Sequence, residues 1–419
     1  SPLAIGNRAM HFLTTGGYNT AVGQEAMVAI TTGNRNTAVG YHAGSNFRND
    51  YSTAVGMQAG AYTTGSHNTF IGNEAGQGSS GAPYSSGQYN TSVGSEALKN
   101  FTTANYNVAI GYQAAEDLTT GYNNTVVGAL AGESLISTIH TVLIGSYAGH
   151  SINSTDANGT ICIGNNAGIN ITSGQKNTII GYNAGDAITV GDSSTIVGYE
   201  AGTALTPTGE QGSTLIGKEA GKALTTGPYN TAIGRAALKT ATTTNSCIAI
   251  GDGAGAYIPA STAIIGVMAI GNSALGDASG LDTSANYSVA IGGSAGNNAG
   301  NLAGEFVIIG NSAGQKINGT GVTHIGYQAG TFASGSSNTF VGTEAGYGGT
   351  TSAPFSSGTS NTALGYQALK GFTTGIRNVA IGYQAAVAST TGRDNVIIGY
   401  EAGHDITSTV ETVLIGAYA

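Results

Sequence analysis

The sequence predicts an all-β protein, a parallel β-solenoid of about 24 coils with about 17 residues each. Three observations predict this fold. A short motif ending in glycine recurs along all 419 residues, two positions of the repeat never vary, and the composition combines 69 glycines with only 8% charged residues. Repeats of this size are supersecondary units that bury their apolar faces by stacking on one another. We therefore expect one continuous solenoid over residues 1–419 instead of several globular domains.

The repeated motif is a tetrapeptide of a β-branched, an apolar and an aliphatic residue followed by glycine, as in Thr20-Ala21-Val22-Gly23. We call its last residue the anchor glycine; there are 24, from Gly6 to Gly416, and most lie 16 or 17 residues apart. The third residue is always Val, Ile or Leu, and the residue three after the anchor glycine is always Ala. This predicts that the aliphatic residue fills the inside of each coil, beside a position where only a methyl group fits.

Asparagine often stands immediately before the tetrapeptide, at a position that we call the Asn column. Its members include Asn19, Asn36, Asn68, Asn90, Asn124, Asn177, Asn230, Asn338 and Asn361. Amides at equal heights in successive coils can hydrogen-bond from coil to coil. Short β-branched segments between Gly, Asn and Thr-Thr-Gly turns predict about two strands per coil. Glycine at this density opposes helices.

A longer period overlies the short one. Residues 68–147 match residues 338–418 at an offset of 270–271, and the irregular spacings repeat as well. Each segment contains one long loop, 76–89 in the first and 346–360 in the second. Both loops carry an Ala-Pro-aromatic-Ser-Ser-Gly element, with Tyr84 and Phe355 as the aromatic residues. The pattern indicates growth by duplication of a segment together with its loop.

Both faces of the tetrapeptide strand are apolar. Alternation places the second residue on the face opposite the third. That second residue is most often Ala and otherwise mostly Phe, Val, Leu or Ile. Strands with two apolar faces are buried on both sides. Because a thin coil buries only one face, the second face predicts side-by-side association of identical chains.

The Asn-Thr-Ala-Ile/Val-Gly-Tyr-Gln-Ala-Gly repeat resembles the shaft repeats of phage tail fibres. It is also similar to the Ser-Val-Ala-Ile-Gly repeats of trimeric autotransporter adhesin heads, although the coils here are longer. The resemblance extends over essentially the whole chain. It implies an intertwined homotrimer of left-handed parallel β-rolls, with the apolar second face at the trimer axis.

These features predict a non-enzymatic structural fibre or adhesin shaft that supports attachment to a host or surface. We expect it to be extracellular, on a cell surface or on a virion; the alternative is a self-assembling extracellular filament subunit. The seven histidines occupy unrelated repeat positions and no nucleophile–base set is recognisable, so we expect neither catalysis nor a cofactor. The net charge of −9 without a basic patch argues against nucleic acid. The absence of an 18-residue apolar run argues against membrane insertion by this segment.

Recognition is expected in the long loops, because loops on rigid scaffolds usually carry binding residues. Tyr84, Tyr89 and Phe355 are therefore candidate contacts for a cell-surface glycan or receptor. A second set of tyrosines follows the anchor glycine, and these either form a stripe for sugar stacking or cover neighbouring coils. Its members are Tyr41, Tyr112, Tyr182, Tyr199, Tyr327, Tyr366, Tyr383 and Tyr400.

His324 is an unusual residue in the second-residue column, where neighbouring coils carry Ile308 and Phe340. If that face meets at a three-fold axis, three imidazoles converge there and form a candidate axial site for a metal or an anion. The alternative interpretation is a polar residue satisfied by water. The sequence offers no other metal ligands at suitable spacing.

Overall fold

The computed structural model describes residues 1–81, 83–206, 211–259, 263–278, 281, 285–298, 304–349 and 355–419. The chain forms two compact units, Ser1–Gln211 and Gly212–Ala419. Each unit is a stack of parallel three-residue strands with one strand per coil. The prediction of an all-β parallel β-solenoid is therefore confirmed, and continuity over residues 1–419 stays a prediction.

Each strand consists of the first three residues of one tetrapeptide. The first unit contains β1 (Leu3–Ile5), β2 (Thr20–Val22), β3 (Thr37–Val39), β4 (Thr53–Val55), β5 (Thr69–Ile71), β6 (Thr91–Val93), β7 (Val108–Ile110), β8 (Thr125–Val127), β9 (Val142–Ile144), β10 (Ile161–Ile163), β11 (Thr178–Ile180) and β12 (Thr195–Val197). The second contains β13 (Thr214–Ile216), β14 (Thr231–Ile233), β15 (Ile248–Ile250), β16 (Met268–Ile270), β17 (Val289–Ile291), β18 (Val307–Ile309), β19 (Thr323–Ile325), β20 (Thr339–Val341), β21 (Thr362–Leu364), β22 (Val379–Ile381), β23 (Val396–Ile398) and β24 (Val413–Ile415). A 3₁₀ turn spans Thr155–Ala157.

The prediction of about two strands per coil is wrong for the residues that the structure describes. Outside the named strands, the described residues pair only in isolated parallel β-bridges, such as Thr63 with Ser85. Further backbone hydrogen bonds join the turns of successive coils, such as Gly44 N–H to the carbonyl oxygen of Ala59 at 2.8 Å. The rest of each coil consists of turns, in which non-glycine residues such as His42 and Gln58 adopt φ values of 54° and 56°. Left-handed residues interrupt an extended backbone. The coil therefore keeps one regular edge, and the remaining edges are tight turns.

The anchor glycines are required for two separate reasons. Gly40 has a φ of 136°, a conformation that residues with a Cβ rarely adopt. A Cβ at this position would also lie 2.4 Å from the carbonyl oxygen of Gly56 in the next coil. The stacking distance of the coils therefore depends on glycine at this corner.

The inside of the coil is formed by the second residue of the tetrapeptide, and not by the third. Ala38 and Phe70 are fully buried, whereas the third residues Val39 and Leu364 are 37% and 47% exposed. The prediction that the aliphatic column fills the inside is therefore wrong. The invariant Ala column does lie inside, as at Ala43.

The aliphatic column was mistaken for the interior because two inner positions of each coil share the core volume and can therefore vary. The large Phe47 precedes the small Ala54, whereas the small Ala333 precedes the large Phe340, and all four are buried. An inner position can therefore vary as long as another residue compensates for its volume. Invariance of the aliphatic column consequently does not mark it as interior.

The Asn column forms a buried ladder, as predicted. The Oδ1 atom of Asn107 accepts hydrogen bonds from the backbone N–H and from Nδ2 of Asn124, both at 3.0 Å. The Nδ2 group of Asn124 also donates to the carbonyl oxygen of Thr138 at 2.8 Å. Both amides are 1% exposed. Each side chain thus replaces water for a backbone N–H and a backbone carbonyl, which buried polar groups require.

Candidate interaction surfaces

A stripe of threonine and aliphatic side chains, with a wholly aliphatic third column, runs along the outer face of the strands in each unit. It consists of the first and third residues of each tetrapeptide, which the strand register aligns from coil to coil, as Thr37 with Thr53 and Val39 with Val55. We call it the outer stripe. In the third column the exposed fraction is 38% at Ile110. A contiguous apolar surface of this kind is typical of an interaction site in a soluble protein.

His324 does not lie on an outer face. Its imidazole is fully buried within the second unit, and its ring centroid lies 5.0 Å from that of Phe340 in a stacked arrangement. Neither ring nitrogen has a hydrogen-bond partner among the described residues. Burial lowers the pKa of His324 to about 3, so the imidazole is neutral at physiological pH. An axial site for three imidazoles is therefore wrong in its placement, because this side chain points into its own coil.

Tyr84 lies in the first long loop, of which the structure describes every residue except residue 82. Its ring stacks on Tyr62 with a centroid distance of 6.3 Å, and the Arg48 guanidinium lies 5.9 Å from its centroid. Tyr84 also lines a cleft of about 430 Å³ together with Thr102 and Thr103. The loop therefore presents an aromatic ring beside hydroxyl groups, which is a suitable environment for a polar ligand.

Tyr89 belongs to a different surface. Its ring stacks between His67 at 4.7 Å and Tyr106 at 4.9 Å. These residues precede the Asn column, at a position that we call the flanking row. The stack continues through Tyr51 and Arg35, the guanidinium of which lies 5.2 Å from the Tyr51 centroid. Both faces of Tyr89 are covered by neighbouring rings, so only its edge is presented to solvent.

Phe355 in the second long loop is half-buried. Its ring centroid lies 5.8 Å from that of Phe332, and Phe332 in turn contacts Tyr347 edge-on at 5.1 Å. Ala353 and Pro354, which precede it in the predicted loop element, lie outside the described residues. The described part of this loop is thus an aromatic cluster in which Phe355 lacks the hydroxyl group that Tyr84 carries.

The tyrosines that follow the anchor glycine point outward. Tyr366, Tyr383 and Tyr400 stack on one another at 5.1 and 5.0 Å between centroids, and they are 41–46% exposed. Tyr182 and Tyr199 stack in the same way at 5.4 Å. Where these rings are contiguous, they cover one another's faces, which favours the interpretation that they cover neighbouring coils.

Charged side chains mostly pair with residues one coil away. Examples are Arg377 with Asp394 at 2.6 Å and Lys370 with Glu344 at 2.6 Å. Half-exposed pairs of this kind contribute little to stability. Among the described residues, no group of three or more His, Cys, Asp or Glu side chains could hold a metal ion. The same part of the chain contains no helix that is long and apolar enough to cross a membrane.

The flanking row is an exposed, largely aromatic surface that was not predicted from the sequence. The row contains Tyr18, Arg35, Tyr51, His67, Tyr89, Tyr106, Tyr229 and Tyr287, and in the structure it lies exposed along the side of the coils. The signal that could have revealed it was present, because aligning the residue before each Asn column shows the aromatic enrichment directly. Tyr89 belongs to this row and also ends the first long loop, and its contact with a ligand stays a prediction.

No protein-family model matches this chain, and no curated protein matches its sequence. The resemblance to phage tail-fibre shafts and adhesin heads therefore remains a resemblance of repeat pattern.

Proposed function

We propose that this chain is a non-enzymatic structural fibre or adhesin shaft, assembled from three identical chains side by side, that supports attachment to a host or surface. The observation that carries the proposal is the outer stripe. Its third column is Val, Ile or Leu in every coil although it faces outward. An outer position that never becomes polar is best explained by a partner that covers it.

The partner that fits the stripe is another copy of the same chain. The stripe repeats with the spacing of the coils, which is the distance between hydrogen-bonded strands of about 4.8 Å. A surface that matches it coil by coil must have the same spacing, and an identical chain has it along its entire length. Closed symmetric association is also the usual state of oligomers built from identical chains.

An extracellular, cell-surface or virion location agrees with the repeat pattern shared with tail fibres and adhesin heads. Only 13 Lys and Arg residues occur in the sequence, which leaves few cleavage sites for trypsin-like proteases. A shaft of this kind would bind a cell-surface glycan or receptor through its loops, with Tyr84, which lines a cleft, as the favoured of the predicted contacts. The alternative is a self-assembling extracellular filament subunit, in which the same stripe would join chains into long polymers.

Light scattering coupled to size exclusion tests the proposal over a range of protein concentrations. A discrete trimer supports the shaft, long polymers support the filament subunit, and a monomer at all concentrations contradicts both. A variant with Ile110, Val127 and Ile144 each changed to Asp introduces charge into the outer stripe of consecutive coils. We expect a smaller assembled mass for this variant, whereas Tyr112→Ser on another outer row should leave the mass unchanged.

A further inference from the structure

A cleft of about 560 Å³ in the described part of the second unit lies beside Tyr287 in the flanking row. Tyr287 is 70% exposed. The cleft continues over Glu305 and Gly321, the flanking-row residues of the next two coils, and Thr320 and Thr323 line it as well. Its volume falls within the range of small-molecule binding sites.

One side of the Tyr287 ring packs on glycine. A Cβ added to Gly266 would lie 2.7 Å from Cδ1 of Tyr287, so the ring rests on that backbone. In the next coils the row carries Glu305 and then Gly321, neither of which is aromatic. Tyr287 therefore differs from Tyr89, which is enclosed between two rings.

The backbone does not require glycine at the edges of this cleft. Gly266 and Gly321 have φ values of 67° and 62°, and in other coils Arg35 and Ser337 occupy the same row at 58°. A Cβ on Gly321 would meet no heavy atom of the described residues within 4 Å. Glycine at these two positions has a different effect, because the absence of a side chain leaves space around the Tyr287 ring.

We infer that Tyr287, Glu305 and the space above Gly321 form a binding site for a neutral pyranose of a surface glycan. The apolar face of a sugar ring can pack on the tyrosine ring. The Glu305 carboxylate and the Thr320 hydroxyl can pair with sugar hydroxyls. Glu305 is the charged residue among the described residues that line the cleft, so an anionic sugar is disfavoured by repulsion.

This inference rests on the proposed function, because it names the ligand class through which the shaft would attach. The test is saturation-transfer NMR on the whole chain with the methyl pyranosides of glucose, galactose, mannose and N-acetylglucosamine, and with N-acetylneuraminic acid as the acidic probe. We expect transfer to at least one neutral pyranoside. Tyr287→Ala should weaken that binding about tenfold or more, since a lost aromatic contact of this size corresponds to about that factor.

Gly321→Arg should also abolish transfer, because the guanidinium would occupy the cleft and pair with Glu305, as the fold accepts Arg35 in the same row. The matched controls are Gly321→Ser, which leaves the cleft open, and Tyr229→Ala, which removes another exposed tyrosine of the row. Both controls should bind as the unmodified chain does. Absence of transfer to every neutral probe, transfer to the acidic probe alone, or retained binding in Tyr287→Ala would overturn the inference. Because assembly is measured separately by mass, a trimer without sugar binding refutes this site alone, whereas a monomer that binds through Tyr287 refutes the shaft alone.

Discussion

The two near-duplicate segments, 68–147 and 338–418, are almost identical on the inside and different on the outside. In the first, the backbone N–H of Asn90 donates to Asn68 Oδ1 at 2.9 Å, and Asn361 donates to Asn338 in the second at the same distance. The phenylalanines of the core also correspond, since the Phe70–Phe101 and Phe340–Phe372 centroid distances are 5.6 and 5.4 Å. The interior is thus fixed by the coil.

The outer rows of the two segments are exchanged. In the first segment the flanking row carries the aromatic stack, with Tyr89 and Tyr106 at 4.9 Å. In the second, the stack lies in the row after the anchor glycine, with Tyr383 and Tyr400 at 5.0 Å, while the flanking row carries Arg377 and Asp394. The comparison teaches that the fold constrains the inner columns and leaves the outer rows open to functional change.

The largest loss of folding stability is expected when an anchor glycine of either segment is changed to alanine. Gly111→Ala and Gly382→Ala place a Cβ 2.5 and 2.2 Å from the carbonyl oxygens of Gly128 and Gly399, at φ values of 136° and 135°. Strain and overpacking together should destabilise either variant by roughly 3 kcal/mol or more, measured as a shift of the urea midpoint. Gly81→Ala is the control, because its Cβ would meet no described heavy atom within 4 Å. A midpoint unchanged in either anchor variant would contradict the stacking geometry.

The next largest effect is expected in the Asn ladder. Asn107→Ala and Asn378→Ala leave the buried N–H groups of Asn124 and Asn395 without their acceptors. Each should cost about 2 kcal/mol, because an orphaned buried donor loses its full desolvation energy. Urea unfolding should give similar losses in the two segments, and exposed Asn123→Ala should change little. Clearly unequal losses of stability at the two positions would contradict the claim that the interiors of the two segments are equivalent.

Smaller effects on stability, one stabilising and one destabilising, are expected in the coils that precede the two segments. His324→Phe removes two unpartnered ring nitrogens from a buried site stacked on Phe340, and should stabilise the second unit by about 1 kcal/mol. The reciprocal Ala54→His should destabilise the first unit, because Phe47 already occupies the shared core volume. Thermal unfolding of both variants measures this difference, and a destabilised His324→Phe variant would contradict the assignment.

His324 also predicts a pH dependence. Its pKa is lowered to about 3 in the folded chain, below its ordinary value of 6.5, so the unfolded chain binds the proton more readily between these values. The contribution of His324 to stability should therefore fall as the pH decreases from about 6.5 toward 3. Melting temperatures of the unmodified chain should decline more steeply over this range than those of His324→Phe. Parallel declines would mean that the imidazole is not buried in the neutral form.

The smallest loss of folding stability is expected when a tyrosine of the outer aromatic rows is replaced. Tyr89→Ser and Tyr383→Ser each remove one stacked and half-exposed ring, which should cost about 1 kcal/mol or less. Tyr112→Ser, in a row where the neighbouring coils carry Ser95 and Ala129, should cost still less. Urea midpoints compare the three variants, and a cost as large as that of the Asn ladder would mean that the outer rows also determine the fold.

The repeat made the solenoid and the Asn ladder predictable, because both depend on residues that recur at the same position in many successive coils. The orientation of the strand was not predictable in the same way. Phe70 and Ala54 differ in size although both are buried, since residues such as Thr63 and Phe47 share the core with them. Val39 faces outward although its column is always aliphatic, so the constancy of this column did not mark the interior of the coil. The second residue of the tetrapeptide was predicted on the outside and faces the core. For the same reason, His324 was predicted at an axis between chains and lies inside its own coil.

The candidate contacts were predictable only in part. Tyr84 is a candidate because it lies in the first long loop, and in the structure it lines a cleft. Its contact with a ligand stays a prediction. Tyr287 could not be recognised from the loops, because its environment depends on the absent side chains of Gly266 and Gly321 in neighbouring coils. Such a site becomes visible only when the register between coils is known.

The central claim is that the second residue of each tetrapeptide faces the core and the third faces a neighbouring chain. The most direct measurement compares the far-UV circular dichroism and solution mass of two triple variants in the first segment. One changes Ala109, Val126 and Leu143 to Asp, and the other changes Ile110, Val127 and Ile144 to Asp. We predict that the inner variant loses the β spectrum, whereas the outer variant keeps it and shows a smaller assembled mass. An outer variant that unfolds beside an inner variant that remains folded would contradict the account.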